Sequence, residues 1–135
     1  MKERTLTLAL MDPPYESANS TTAFRIIHAA LEQGINVNVF AYEGAVCLSL
    51  KDQAPHANPV KGTSIDDEEH PTTKAFVSSL LAMGVDKPRL TWINCGLCVD
   101  ERGAANAVDG VRRGSPADFF KMASESTNTL VIPTK

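Results

Sequence analysis

Two thiols with two residues between them, Cys95-Gly96-Leu97-Cys98, stand at the end of an apolar run, Leu90-Thr91-Trp92-Ile93-Asn94. The charged string Val99-Asp100-Glu101-Arg102-Gly103 follows directly. That spacing supports three kinds of chemistry: a nucleophilic thiolate with a second thiol to resolve it, a reversible dithiol, or half of a zinc site. The thiolate is the reactive form, so a neighbouring cation matters. Arg102, four residues beyond Cys98, can face back toward the thiols and favour their ionised form. Asp100 opposes that effect unless it pairs with Arg102 or caps a following helix, the role preferred for it here. Open α/β sheets place their chemistry at the carboxyl edge of the strands, and a strand ending at Asn94 delivers the cysteines there.

The other candidates are weaker. Zinc needs about four ligands and this pair supplies two. The histidines His28, His56 and His70 have no partner at ligand spacing, so no metal is expected within one chain, and an ion bridging subunits is the one zinc arrangement left open. Cys47 lies in the apolar stretch Ala45-Val46-Cys47-Leu48 and reads as a small hydrophobe. Tyr15 reads either as a wall of the pocket entrance, beside Gly96 and Asp100, or as an ordinary loop aromatic. Trp92 reads as core. No glycine-rich dinucleotide fingerprint or phosphate loop is present, so no cofactor is expected.

The elements that must position these residues follow from period and punctuation. Thr5–Met11 is a β-rich run stopped by Asp12-Pro13-Pro14, because proline gives no donor to a sheet ladder. Ser20, Thr21 or Thr22 can cap a helix with Ala23, Phe24, Ile27, Ala30 and Leu31 on one face, ending at Gly34. Asn36–Tyr42 alternates as a second strand, followed by a short helix over Ala45–Leu50. Residues 52–70 lack periodicity and read as a long loop that carries the acidic string Asp66-Asp67-Glu68-Glu69. A helix from Pro71-Thr72-Thr73 to Met83, a strand over Arg89–Asn94 and an Ala-rich helical stretch at 103–109 come next. The chain ends with a small extended piece around Gly110–Arg113, a helix from Ser115-Pro116 to Ser126, and a strand at Leu130–Ile132. Alternating strands and helices imply parallel βαβ units with helices on both faces.

A length of 135 residues fits a single domain spanning 1–135, on a scale of roughly 100–200 residues per domain. A formal charge of −3 with no Lys/Arg cluster argues against direct nucleic-acid binding. Nothing approaches the ~20 apolar residues of a membrane helix, so no membrane association is expected. The apolar run after Met1-Lys2-Glu3-Arg4 is too short for a signal-peptide core. A cytoplasmic location is expected, where reducing conditions keep thiols free.

Pro13-Pro14-Tyr15 after the first strand, Thr22-Ala23-Phe24 in the first helix, the Cys-x-x-Cys-x-Asp-x-Arg-Gly string at 95–103, and Asp109-Gly110-Val111 with Gly114 resemble the DsrE/DsrF-like family. The likeness runs nearly end to end and is nearest to its small YchN-type members. It implies a three-layer α/β/α sandwich with a mainly parallel sheet of about five strands, and homo-oligomers such as trimers or hexamers. In TusD-like relatives a single cysteine carries persulfide sulfur in a relay between donor and acceptor proteins, and counting back from the Arg-Gly pair matches that cysteine to Cys95. Cys98 is an addition. Relatives commonly have Pro-Tyr-Gly in the first loop, where this chain has Pro14-Tyr15-Glu16. Glu16 does not take glycine's positive φ cheaply, and its carboxylate would oppose an anion there.

Sulfur transfer needs a thiolate that attacks a persulfide or disulfide and leaves well afterwards. The expectation is that Cys95 accepts the sulfur, Cys98 resolves or relays it, and Arg102 supports the thiolate. The alternatives are a dithiol redox protein and a non-catalytic oligomeric binding or regulatory protein of the same fold.

Overall fold

A computed structural model of the chain describes residues 3–57, 62, 64 and 72–134. His70 and the acidic string at 66–69 lie outside the described residues. The strands are β1 (Thr5–Leu10), β2 (Asn36–Ala41), β3 (Leu90–Cys95), β4 (Val111–Gly114) and β5 (Asn128–Ile132). The helices are α1 (Asn19–Glu32), α2 (Thr73–Met83), α3 (Gly96–Arg102) and α4 (Pro116–Glu125), with a 3₁₀ helix at Glu43–Ser49 between β2 and α2. All neighbouring strands are parallel, in the order β4-β3-β2-β1-β5.

Strand alternation gives each face of the sheet its own row of side chains. Leu130, Leu8, Val39, Trp92 and Val111 align across the five strands. Phe24 of α1 packs near Trp92, with ring centroids 6.5 Å apart, so α1 and α2 cover this face, and Leu8, Val39 and Trp92 are fully buried. On the opposite face Phe40 meets Phe119 of α4, with centroids 5.6 Å apart. Handedness explains the division. From β1 to β4 the chain steps in one direction, then α4 carries it back across the sheet to β5; right-handed crossovers travelling in opposite directions must lie on opposite faces. The result is the expected α/β/α sandwich, with a single helix among the described residues on its second face.

Several local starts differ from the sequence reading. None of Ser20, Thr21 and Thr22 caps α1; Ser17 Oγ accepts from the Asn19 N–H at 3.1 Å and itself donates to Asp12, which also accepts from Asn19 Nδ2 at 3.0 Å. α4 starts as expected, the Asp118 carboxylate accepting from the Ser115 N–H at 2.8 Å. Val46 and Leu48 are core. The exposed apolar side chains include Leu97, Phe120, Leu130 and Val131.

β4 and α4 approach closely at Gly114, where an added Cβ would lie 2.6 Å from both Ile93 Cγ2 and Asp118 Oδ2. Gly114→Ala is therefore expected to cost about 1–3 kcal/mol of stability by overpacking. Chemical denaturation checks this, and a loss below about 0.5 kcal/mol would contradict the close packing.

Candidate functional site

Cys95 is the last residue of β3 and the residue from which α3 departs, with φ −62° and ψ 121°. Cys98 sits one turn into α3, so helical geometry brings it back over Cys95. Both are reduced and buried, with 2% and 6% of their surface exposed. Residues 96–102 thus form a helix that the sequence reading did not anticipate, and the expected helix at 103–109 is absent. Gly103, at φ +60°, ends α3, and the Ala104 N–H returns to Val99 O at 3.0 Å. Beyond it, residues 104–110 are tied to the segment after the 3₁₀ helix: Lys51 N–H donates to Asn106 O at 2.7 Å and Val108 N–H to Ser49 O at 2.9 Å. Those bonds compete with helical ones and win over alanine's propensity.

The two thiols lie within hydrogen-bonding reach of each other. The Glu43 backbone N–H donates to Cys98 Sγ at 3.0 Å, from a residue held at φ +50°. Burial pushes the Cys98 thiol above its ordinary value, the Glu43 N–H opposes this, the Cys95 thiol adds to it, and the Arg102 charge opposes it. Cys98 is therefore expected to alkylate with a pH midpoint above that of a free cysteine. The sign for stability follows: the folded state holds this proton longer than the unfolded chain, so stability falls as pH rises past the unfolded thiol's midpoint. Site-resolved alkylation against pH checks it; a Cys98 midpoint below that of a free thiol would contradict it.

Arg102 donates from Nη1 to Cys98 O at 3.4 Å and pairs with Glu101 at 3.5 Å. Its charge reaches the Cys98 and Cys47 thiols. Asp100 neither caps a helix nor pairs with Arg102. It accepts from Arg113 Nη2 at 2.5 Å, an ion pair that holds its carboxyl below the usual range. Arg113 is the site residue that the sequence reading missed. It stands directly across from Asn94 in the β3–β4 register, and its side chain crosses Gly96, where an added Cβ would lie 2.8 Å from Nε. Its one sequence signal is the Arg112-Arg113 pair in a strand, where alternation must send the two cations to opposite faces.

The family model described as DsrE/DsrF-like family matches residues 5–132. This chain belongs to the DsrE/DsrF-like family. Its relatives include an uncharacterized protein of Methanocaldococcus jannaschii, 23% identical over 128 residues that make up 93% of this chain and 97% of that protein. Another is an uncharacterized protein of Methanopyrus kandleri, 24% identical over 127 residues, 93% of this chain and 91% of that one. Among solved structures, the ychN protein from E. coli superposes with a TM-score of 0.75 at 20% identity, covering 96% of this chain and 99% of the other. That likeness is one of fold.

In this DsrE/DsrF-like chain the first loop takes its left-handed residue at Tyr15, φ +67°, rather than at Glu16. The Tyr15 hydroxyl accepts from the Thr73 N–H at 3.3 Å, and its ring meets His56 edge-on with centroids 4.6 Å apart. Tyr15 thus braces the loop against the start of α2. Pro13 of the same loop lies against Gly44, where an added Cβ would sit 2.8 Å from Pro13 Cβ, next to the Glu43 amide that holds Cys98.

Cys47 is partly buried against the core, and burial pushes its thiol up. His28 pairs with Glu32 at 3.4 Å on the exposed side of α1. Among the described residues no group of three His, Cys, Asp or Glu is placed to hold a metal. Nor is any helix among them long and apolar enough to cross a membrane.

Proposed function

We propose that this DsrE/DsrF-like protein carries sulfane sulfur as a persulfide on Cys95, with Cys98 as resolving or relaying thiol. The observation that supports it most is the pair of reduced thiols within hydrogen-bonding reach at the carboxyl end of β3, one of them fixed by the Glu43 N–H. In the loading step the Cys95 thiolate attacks the outer sulfur of a donor persulfide, R–S–SH. The new bond makes Cys95–S–SH and the donor leaves as R–S⁻, so no oxidant is needed. In release, Cys98 as thiolate attacks the inner sulfur, forms the Cys95–Cys98 disulfide and expels HS⁻. Attack on the outer sulfur instead moves the cargo to Cys98. Arg102, bonded to the Cys98 carbonyl, favours the Cys98 thiolate in either route.

The reading extends to a cytoplasmic homo-oligomer, trimeric or hexameric, that receives sulfur from one protein and hands it to another. Three free cysteines are the state a reducing compartment maintains. Exposed Leu97, Phe120, Leu130 and Val131 are apolar surface of the kind that subunits cover.

Intact mass after incubation with a low-molecular-weight persulfide tests the proposal. Wild type is expected to gain sulfur that reductant removes, and Cys95→Ser and Cys95→Ala to gain none while keeping the wild-type far-UV circular dichroism. Equal loading in the folded Cys95 variants would refute it. The burial of both thiols favours a second reading, a binding or regulatory protein that performs no transfer. Wild type that takes up no sulfur, with both thiols inert to alkylation, would establish that reading.

A further inference from the structure

Cys95 and Cys98 are both buried, so a sulfur donor or acceptor meets neither where it stands, and transfer requires a movement that uncovers them. The backbone shows where that movement starts. Among the described residues only Tyr15 and Glu43 are non-glycine with positive φ, at +67° and +50°. L side chains adopt that conformation rarely, and it persists where the surroundings enforce it. The two residues flank one contact. Pro13, two residues before Tyr15, has its ring against Gly44, one residue after Glu43. A Cβ added at Gly44 would lie 2.8, 2.9 and 3.1 Å from Pro13 Cβ, Cδ and Cγ. Gly44 does not itself have a positive φ, so the glycine there makes room for the ring and leaves the left-handed conformation to Glu43. Glu43 is held on either side: the Tyr42 N–H donates to Leu10 O at 2.8 Å and the Ala45 N–H to Tyr42 O at 3.1 Å. In that setting its own N–H donates to Cys98 Sγ, 3.0 Å away.

We infer that Pro13 and Glu43 are positioning residues that hold the Cys98 sulfur closed, and that displacing the first loop from Gly44 releases it. For its purpose this rests on the persulfide reading, whereas its test does not. The route is short. Tyr15 is 48% exposed, and its hydroxyl accepts from the Thr73 N–H at 3.3 Å. Two residues back along the chain Pro13 touches Gly44, and the next residue back from Gly44 carries the amide on Cys98. A sulfur acceptor protein that takes hold of the exposed end of this loop thus reaches a thiol that it cannot touch directly. Asp12, buried at the near end, accepts from Ser17 and from Asn19 Nδ2, which leaves 13–16 as the span that shifts.

The experiment times alkylation of the full chain by iodoacetamide at one pH, with Cys47, Cys95 and Cys98 resolved by peptide mass. In P13A the Cys98 rate is expected to rise about five- to twentyfold, because the open form is more populated. Pro14 still restrains the backbone at position 13 in that variant. E43V keeps the N–H but disfavours φ +50°, and speeds Cys98 as P13A does. E43G takes that φ without strain and leaves the rate at the wild-type value. The double variant P13A/E43V is no faster than the faster single one, since both open the same contact. Cys47, four residues beyond Glu43 in the same 3₁₀ helix, reports general loosening and keeps its wild-type rate. Hydrogen exchange at the Glu43 amide gives a second readout: slow in wild type and C98S, about three- to tenfold faster in C98A and P13A. Variants are compared at matched far-UV circular dichroism. A Cys98 rate in P13A within about twofold of wild type, a proportionate rise at Cys47, or a rise in E43G equal to that in E43V would overturn the assignment. Equal Glu43 exchange in wild type and C98A would do so too. A Cys98 that responds to P13A in a protein that takes up no sulfur would refute the carrier role alone; sulfur uptake with an unmoved Cys98 would refute the loop's role alone.

Discussion

Cys98→Ser, loaded with sulfane sulfur, is expected to hold its persulfide at least about tenfold longer than wild type, because it loses an intramolecular attacking group. The structure gives serine a place to sit. Its hydroxyl oxygen can accept the Glu43 N–H that Cys98 Sγ accepts at 3.0 Å, so the turn from the 3₁₀ helix to α3 keeps its tie. What serine lacks is a sulfur nucleophile able to attack the inner atom of Cys95–S–SH. Wild type should also release sulfur faster as pH rises. Cys98 attacks as thiolate, burial holds its thiol up, and below its midpoint each pH unit raises the thiolate fraction about tenfold. The variant should lose that slope. Release timed with a sulfide-sensitive probe decides the matter: equal lifetimes in wild type and variant would remove Cys98 from the chemistry and leave it a packing residue.

Trp92→Ala is expected to be the most damaging single change to the fold. The indole is fully buried in the central row, between its register partners Val39 and Val111. Removing it leaves a cavity worth about 3–5 kcal/mol. It also breaks a polar chain, since Trp92 Nε1 donates to Asn94 Oδ1 at 3.2 Å and Asn94 Nδ2 donates to Ser49 Oγ at 3.1 Å. An orphaned buried acceptor adds about 1–3 kcal/mol. Against a total stability of about 5–15 kcal/mol, the variant should be largely unfolded or melt far below wild type. Thermal and denaturant melts check this. A loss under about 1.5 kcal/mol would mean that the core relaxes around the gap more than the packing suggests.

Much of this architecture is legible in the chain. Leu6, Leu8 and Leu10 alternate with threonine and alanine, and Asp12-Pro13-Pro14 ends the run, so β1 is read from period and punctuation alone. The same holds for β2 and for α1 and α2. Legibility fails where tertiary partners decide. α3 begins directly on Cys95, with no side-chain cap to announce it. The alanines at 104, 105 and 107 look helical until Lys51 and Ser49 claim the backbone nearby. At the site, Arg102 is visible because it stands one helical turn from Cys98, a local spacing. Arg113 is invisible for the opposite reason, because only the pairing of Asn94 with Arg113 brings it to Gly96. Asp100, read as a cap, is likewise redirected by a partner thirteen residues away on another strand.

The order of the strands has a consequence for how the chain reaches this state. β5 is last in sequence yet pairs with β1, the first, and the tie between the Thr5 N–H and Thr127 Oγ1 joins residues 122 apart. β1 to β4 can zip by successive neighbour contacts, the longest closure being the crossover from Ala41 to Leu90, whereas β5 must search back across the whole sheet. During synthesis the flank of β1 stays open until the last strand has emerged, with the apolar side chains of Leu8 and Leu10 at that margin. The β5–α4 unit, none of whose helical residues is fully buried, is then the last to dock and the first to open. Its amides should exchange with solvent ahead of those of β2 and β3.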